Sequence, residues 1–119
     1  MVLGDCGSKW CDVRSGVPQG SGLGLLLFVI YINDLSECVS GVCKLYADDN
    51  KLIAASNDGV NVNGLQEDID SVSEWTKKWL MRLNARKCVG MHLGNKNARR
   101  IYDVEDVSTG DRSTMGTTE

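Results

Sequence analysis

The sequence predicts an α+β fold in which helices pack on a small antiparallel sheet. Three features predict it: an apolar run at residues 23–35, two short apolar segments on either side of Asp48-Asp49-Asn50, and an amphipathic stretch at residues 64–83. The chain has 119 residues, of which 42% are hydrophobic and 24% charged. This composition is typical of one globular domain and excludes a disordered or low-complexity protein.

The front of the chain is predicted to be rich in loops. Residues 2–14 favour a weak strand or hairpin with Trp10 and Val13 as apolar anchors. Residues 15–21, Ser-Gly-Val-Pro-Gln-Gly-Ser, suit no regular element because they contain two glycines and a proline.

Residues 23–35 predict a buried helix. The uninterrupted apolar part, Leu23 to Ile32, is 10 residues long, about half of the roughly 20 that span a bilayer, so we expect no membrane helix. Its β-branched residues suit a strand, but an evenly apolar run of this length fits a helix better. Met1 is not followed by a basic and apolar leader, so we expect an intracellular protein, in the nucleus or the cytoplasm.

Residues 43–47 and 51–55 predict the two strands of a β-hairpin, because turn-forming residues separate two apolar segments. Residues 56–63 are polar and predict a connection. Residues 88–93 predict a short strand that Gly90 weakens.

Gly64 to Leu83 predicts an amphipathic helix that Asn84 ends. Acidic residues near its start and basic residues near its end complement the helix macrodipole. Because Trp75 and Trp79 belong to its apolar stripe, we expect them in the core rather than in a base-stacking platform. The stripe consists of Leu65, Ile69, Val72, Trp75, Trp79 and Leu83.

The net charge of −3 conceals an uneven distribution. Residues 1–76 carry 4 basic and 11 acidic groups, residues 77–100 carry 8 basic and no acidic groups, and residues 101–119 carry 1 basic and 5 acidic groups. The basic block fits contact with a polyanion, although such a run is more often a solvated surface. The helix macrodipole alone explains three of the eight basic charges.

Five cysteines, an odd number, favour free thiols over a disulfide framework in an intracellular chain. A small zinc-stabilised module is a minor alternative. The tight Cys-x2-Cys knuckle is missing, and the usable spacings are those of Cys6 with Cys11, Cys38 with Cys43, and Cys88 with His92.

The adjacent carboxylates of Asp48 and Asp49 are the most conspicuous polar feature. Aspartate forms turns readily, so a structural role is the more common explanation for such a pair. Carboxylates at a hairpin tip can also bind Mg²⁺, which prefers hard oxygen ligands and often uses one or two carboxylates plus substrate phosphates. The pair alone leaves both interpretations open.

Further motifs follow one another in a fixed order: Ser15-Gly16-Val17-Pro18-Gln19-Gly20-Ser21, Leu26-Leu27-Phe28, Tyr31-Ile32-Asn33-Asp34-Leu35, Tyr46-Ala47-Asp48-Asp49, Leu65-Gln66-Glu67-Asp68-Ile69-Asp70, Glu74-Trp75, Lys78-Trp79, Leu83-Asn84, Lys87-Cys88 and Met91-His92-Leu93-Gly94. Over about residues 2–95, their order and spacing closely resemble the reverse transcriptase domain of non-LTR, LINE-type and jockey-like retrotransposons. This context favours the metal-binding interpretation of Asp48 and Asp49.

The resemblance implies an incomplete polymerase palm, with residues 1–95 as a partial palm domain and 96–119 as a poorly patterned continuation. It implies that Asp48, together with an aspartate from an earlier strand, binds two catalytic Mg²⁺ ions, and that Asp49 is a weaker contributor. The implied reaction joins deoxynucleoside triphosphates to the 3′-hydroxyl of a DNA primer on an RNA template.

The resemblance also implies substrate contacts. Tyr46 would lie beside the primer end, although a core position suits it equally well. Lys87 would contact pyrophosphate or the nucleic-acid backbone, although a solvated lysine is the more common case. The glycine-rich loop would contact the template and the incoming nucleotide through Ser15, Gly16, Pro18, Gln19 and Gly20.

The family's first catalytic aspartate precedes the glycine-rich loop, and only 14 residues precede Ser15 here. We therefore expect that the chain needs the remainder of the polymerase and is inactive alone. We also expect the 23–35 helix to lack its usual cover and to promote partial aggregation. The alternative is a non-catalytic nucleic-acid-binding remnant that uses the basic residues 77–100, and the zinc module is a weaker alternative.

Overall fold

The computed structural model describes residues 2–3, 5–9, 11–12, 14, 16, 20–55, 64–95, 97–106 and 109–118. Within these ranges the chain forms two α-helices, two 3-10 helices and eight short strands. The strands pair into four two-stranded sheets, of which three are antiparallel and one is parallel. The predicted α+β class is therefore confirmed. The chain divides into two compact units, Met1–Ile32 and Asn33–Glu119.

The first unit begins with the predicted hairpin. Strands β1 (Val2–Leu3) and β2 (Cys6–Gly7) pair antiparallel over two residues each. Helix α1 spans Gly22–Ile32. The hydroxyl of Ser21 accepts a hydrogen bond of 3.0 Å from the backbone N–H of Gly24, so Ser21 is the N-cap of α1.

Helix α1 is largely exposed, so the prediction of a buried helix is wrong for this chain. Leu23, Leu25 and Ile30 retain 65%, 64% and 63% of their accessible surface. Because apolar side chains point to all sides of α1, one neighbouring surface could not cover them together. The exposure agrees with the expectation that the helix lacks its cover. Among the described residues, neither helix is long and apolar enough to span a bilayer.

The second unit contains the predicted central hairpin. After a 3-10 helix at Asn33–Cys38, strands β3 (Val42–Tyr46) and β4 (Asp49–Ile53) pair antiparallel over five residues. The turn consists of Ala47 and Asp48, so Asp49 already belongs to β4 and pairs with Tyr46. The predicted turn at residues 48–50 therefore begins one residue too late and ends two residues too late.

Helix α2 spans Gly64–Lys78 and starts where the sequence predicts. It ends five residues before Leu83 because Leu80 adopts a left-handed φ of 55°. The N–H of Met81 bonds to the carbonyl of Thr76 at 2.9 Å and the N–H of Leu80 bonds to that of Lys77 at 3.2 Å, which is the Schellman pattern of a helix end. Glycine usually marks this position, and leucine gives no such signal.

A small core lies where α2 meets β4 and the strands beyond residue 100. Its buried members are Ile69, Ala85 and Val104, and Val104 is the most buried at 2% exposure. Leu52, Leu65, Leu83, Cys88, Tyr102 and Met115 pack against them. Trp75 is buried at 7% exposure, as predicted, and Trp79 is half-buried with its ring centroid 5.9 Å from that of Trp75.

The segment beyond residue 95 contains three strands that the sequence pattern does not predict. Strand β6 (Asp103–Glu105) pairs antiparallel with β7 (Arg112–Thr114), and β8 (Gly116–Thr118) pairs parallel with β5 (Val89–Met91). A 3-10 helix at Ala85–Lys87 precedes β5. The predicted domain boundary at residue 95 stays a prediction.

Polar side chains of α2 fasten this segment to the helix. The Gln66 amide donates to the Asp103 carbonyl at 2.9 Å and accepts from the Asp103 N–H at 3.0 Å, as a neighbouring strand would. Two exposed ion pairs, Lys77 with Glu105 and Arg112 with Asp70, also join α2 to the hairpin of β6 and β7. The segment beyond residue 95 therefore packs as part of the second unit.

The opposite side of α2 fastens the β3–β4 hairpin through a buried carboxylate. Asp68 is 5% exposed, and its two oxygens accept hydrogen bonds from the N–H groups of Ser40 at 2.7 Å and Gly41 at 2.9 Å. These are the last two residues before β3. A Cβ on Gly41 would lie 2.7 Å from Asp68 Oδ2, so the carboxylate fits only against glycine.

We predict that Asp68→Asn destabilises the protein by about 2–3 kcal/mol, because an amide accepts only one of the two charge-assisted hydrogen bonds and turns a donor toward the other N–H. Urea unfolding followed by circular dichroism measures the loss. Asp70→Asn is the matched control: it removes a half-exposed ion pair and should cost less than about 1 kcal/mol. Equal losses in the two variants would contradict the prediction.

A second prediction concerns the glycine. Gly41→Ala should lower the free energy of unfolding by about 1–3 kcal/mol, because the new methyl group must displace the Asp68 carboxylate. Gly64→Ala is the control, since a Cβ there meets no atom within 4 Å. If Gly41→Ala lowers the free energy of unfolding no more than Gly64→Ala does, the Asp68 carboxylate does not require glycine at residue 41.

Candidate functional site

The end of the β3–β4 hairpin brings three of the sequence-predicted site residues together. Tyr46 and Asp49 face each other across the last pair of the ladder, and Asp48 lies in the turn between them. Both carboxylates are exposed, and Tyr46 retains 83% of its surface. The alternative that Tyr46 occupies the core is therefore wrong. A tyrosine ring and two carboxylates at one exposed tip can face a large ligand.

The turn holds its backbone in an uncommon conformation. Ala47 has a φ of 52°, in the left-handed region, and it is the only one of the two turn residues with a positive φ. A tight two-residue connection needs a positive φ to match the twist of the strands, and glycine is the residue that adopts it without steric cost. Alanine stores about 1 kcal/mol of strain in this place.

The two carboxylates fit part of a divalent cation site. Asp48 and Asp49 supply the hard oxygen ligands that Mg²⁺ prefers. Among the described residues, however, no group of three or more aspartate, glutamate, histidine or cysteine side chains could hold a metal ion. Asp48 and Asp49 therefore do not form a complete metal site by themselves.

The remaining sequence-predicted site residues belong to the glycine-rich loop and to the segment before β5. Gly16 and Gly20 have φ values of 79° and 81°, so the backbone of the glycine-rich loop needs glycine at both places. Ser15, Pro18 and Gln19 lie outside the described residues. Lys87 is exposed at the end of the 3-10 helix before β5. The binding roles given to these six residues stay predictions.

The cysteines of the second unit act as hydrogen-bond donors. The thiol of Cys38 donates to the Leu35 carbonyl at 2.9 Å, that of Cys43 to the Asn50 side chain at 3.1 Å, and that of Cys88 to the Asn84 carbonyl at 3.4 Å. Burial raises the pKa of all three thiols, and the Asp68 carboxylate raises the pKa of Cys43 further. Because zinc binds thiolates, these environments disfavour the zinc module.

Asp68 holds the start of β3 against α2, a role that the motif analysis does not assign to it. The available signal is its position: it follows Leu65 by three residues and precedes Val72 by four, so it lies on the apolar stripe of α2. A carboxylate on a buried helix face needs strong hydrogen-bond donors. The sequence does not show that these donors are backbone N–H groups at the start of β3.

The family model for reverse transcriptase (RNA-dependent DNA polymerase) matches residues 3–114 of this chain. The chain therefore belongs to the reverse transcriptase family. The resemblance in the sequence motifs is confirmed.

The similar proteins are polymerases of non-LTR retrotransposons. The chain is 34% identical over 99 residues to the RNA-directed DNA polymerase from mobile element jockey of Drosophila funebris, covering 76% of this chain and 11% of that protein. It is 30% identical over 93 residues to the jockey polymerase of Drosophila melanogaster, covering 71% of this chain and 10% of the relative. The probable RNA-directed DNA polymerase from transposon BS of Drosophila melanogaster is 34% identical over 86 residues, which is 65% of this chain and 10% of that protein.

The chain thus spans about a tenth of the length of the curated relatives it matches. No solved structure matches it.

We predict that Ala47→Gly stabilises the protein by about 0.5 kcal/mol, because glycine relieves the left-handed strain of the turn. Ala54→Gly is the control. Ala54 follows β4 without a positive φ, so glycine there should only add freedom to the unfolded chain and destabilise by about 0.5 kcal/mol. Thermal unfolding of both variants measures the difference, and shifts of the same sign would contradict the assigned turn geometry.

Proposed function

We propose that this chain supplies the Asp48–Asp49 hairpin to a polymerase active site that joins deoxynucleoside triphosphates to a primer 3′-hydroxyl on an RNA template. The observation that carries the proposal is the pair of exposed carboxylates beside an exposed tyrosine at the tip of a fastened hairpin, in a chain of the reverse transcriptase family. Carboxylates in this position can face a primer end and a triphosphate together.

Asp48 and Asp49 would hold the divalent cations of this reaction. When bound, two Mg²⁺ ions lower the pKa of the attacking hydroxyl and stabilise the leaving pyrophosphate. The chain's own contribution is to hold two oxygen ligands at a fixed place, because the ladder orients Asp49 and the tight turn orients Asp48. We propose that a further carboxylate from another segment of the polymerase completes the set, and that the chain alone does not polymerise.

A non-catalytic nucleic-acid-binding remnant is the second candidate. It is favoured by the exposed side chains of Arg82, Arg86 and Lys87 within the basic residues 77–100. Part of that block has other partners, since Lys77 pairs with Glu105 and Lys78 Nζ lies 5.9 Å from the centre of the Trp79 ring. Binding of this kind needs no metal, which separates it from the first candidate.

Paramagnetic Mn²⁺, which prefers the same oxygen ligands, tests the metal site in the 119-residue chain. We expect selective broadening of the backbone amide NMR signals of the β3–β4 turn, and its loss in Asp48→Asn. Asp111→Asn removes another exposed carboxylate and should leave the broadening unchanged. Broadening that is absent from the turn, or that survives in Asp48→Asn, would overturn the assignment.

Primer extension tests the proposal that further carboxylates are needed. With an RNA template, a DNA primer, deoxynucleoside triphosphates and Mg²⁺, the isolated chain should form no product. Product that disappears in Asp48→Asn would show that the chain is complete enough to catalyse, and would contradict this part of the proposal.

A further inference from the structure

The outer face of the β3–β4 hairpin carries a pair of lysines that the function described above does not use. The exposure of β3 alternates, with Val42, Lys44 and Tyr46 exposed and the two residues between them half-buried. Lys44 is paired with Lys51 of β4, which is also exposed. The two ammonium groups therefore extend from adjacent positions on the same face.

This arrangement is unfavourable within the chain itself. Directly opposed residues of an antiparallel ladder have Cβ atoms about 5 Å apart, and like charges in such a pair destabilise the sheet. Among the residues that the structure describes, neither lysine forms an ion pair with a carboxylate. An anion bound between the two lysines would remove the repulsion.

The position of the lysine pair indicates which anion fits. The next outward pair toward the tip is Tyr46 with Asp49. The next outward pair away from the tip is Val42 with Ile53, and both of these side chains are about half exposed. Successive pairs on one face are about 7 Å apart, which is about twice the 3.4 Å axial spacing of the phosphates of one strand in double-stranded DNA. A strand whose terminal nucleotide lies at Asp48 and Asp49 thus brings its preceding phosphates within reach of the lysines.

We propose that Lys44 and Lys51 form a phosphate-binding site that holds the backbone of a single nucleic-acid strand along the outer face of the hairpin. This proposal rests on the proposed function, because the strand would end at the two carboxylates. The lysines act as point charges on flexible stems and fix the path of the backbone without reading its sequence. The exposed Tyr46 ring beside them can accept a base or a sugar on the same face.

The test is the binding of a fluorescent single-stranded oligonucleotide to the 119-residue chain, followed by anisotropy at several salt concentrations. Each neutralised phosphate of a single strand contributes a slope of about 0.7 to the salt dependence. The double variant K44Q/K51Q should therefore lose a slope of about 1.4 and bind about 25-fold more weakly at 0.1 M salt, with little difference near 1 M. The variant K44R/K51R should retain the binding.

The matched control is K9Q/R14Q, which removes two exposed positive charges that no binding site described above uses. A loss in this control equal to that in K44Q/K51Q would show that only total charge matters, and would overturn the site. Retention of the full salt slope in K44Q/K51Q would overturn it as well. Equal competition by inorganic triphosphate or by polyglutamate would assign the lysines to a nucleotide or to an acidic protein instead of a strand.

The Mn²⁺ experiment on the same variants separates the two proposals. Broadening at the β3–β4 turn in K44Q/K51Q, together with unchanged oligonucleotide binding, refutes the lysine site and leaves the metal site standing. The proposed active site is refuted if K44Q/K51Q loses strand binding but Mn²⁺ does not broaden the amide signals of the β3–β4 turn in any variant. In that case the bound strand does not end at the carboxylates, while the lysine pair still binds its phosphates.

Discussion

One buried carboxylate determines how the second unit is arranged. Asp68 uses both of its oxygens to accept the N–H groups of Ser40 and Gly41, at the point where the chain enters β3. Strand β3 then runs five residues, about 15 Å, to the turn that presents Asp48. Because a charged acceptor with two donors resists displacement, the base of the hairpin is fixed to α2 while its tip reaches solvent. The active site proposed at this tip would need such support, because it would hold a primer and a nucleotide.

Helix α2 serves both of its neighbours. One side carries Asp68 and fixes the hairpin, and the other side carries Gln66, whose amide pairs with the backbone of Asp103. The apolar stripe between them buries Ile69 against Val104. The last strands therefore stabilise the helix that fixes the base of the β3–β4 hairpin. Changes near Val104 should reach the hairpin through α2 and through Leu52 of β4, which packs against the same cluster.

The sequence predicts most of this architecture and leaves out the parts that depend on tertiary contacts. Periodicity places α2 and the hairpin correctly because hydrophobic spacing is a local property. Periodicity does not predict the early end of α2, because Leu80 adopts a left-handed conformation where glycine is usual. Periodicity does not predict strands β6 to β8 either, because each has only three residues and is too short to show a pattern. Motif order predicts Asp48 and Asp49 as site residues. The backbone N–H groups that donate to Asp68 are visible only in the fold.

The parallel pairing of β5 with β8 has a consequence for how the unit folds. Val89 pairs with Gly116, and Met91 pairs with Thr118, so the ladder closes a loop of more than twenty residues. Closing such a loop costs entropy before any contact repays it, and parallel pairs of high sequence separation form late. Until β8 arrives, β5 presents an unpaired edge beside the exposed Val89 and Met91. A nascent chain would pass through this vulnerable interval during synthesis, when chaperones can hold it and proteases can cut it.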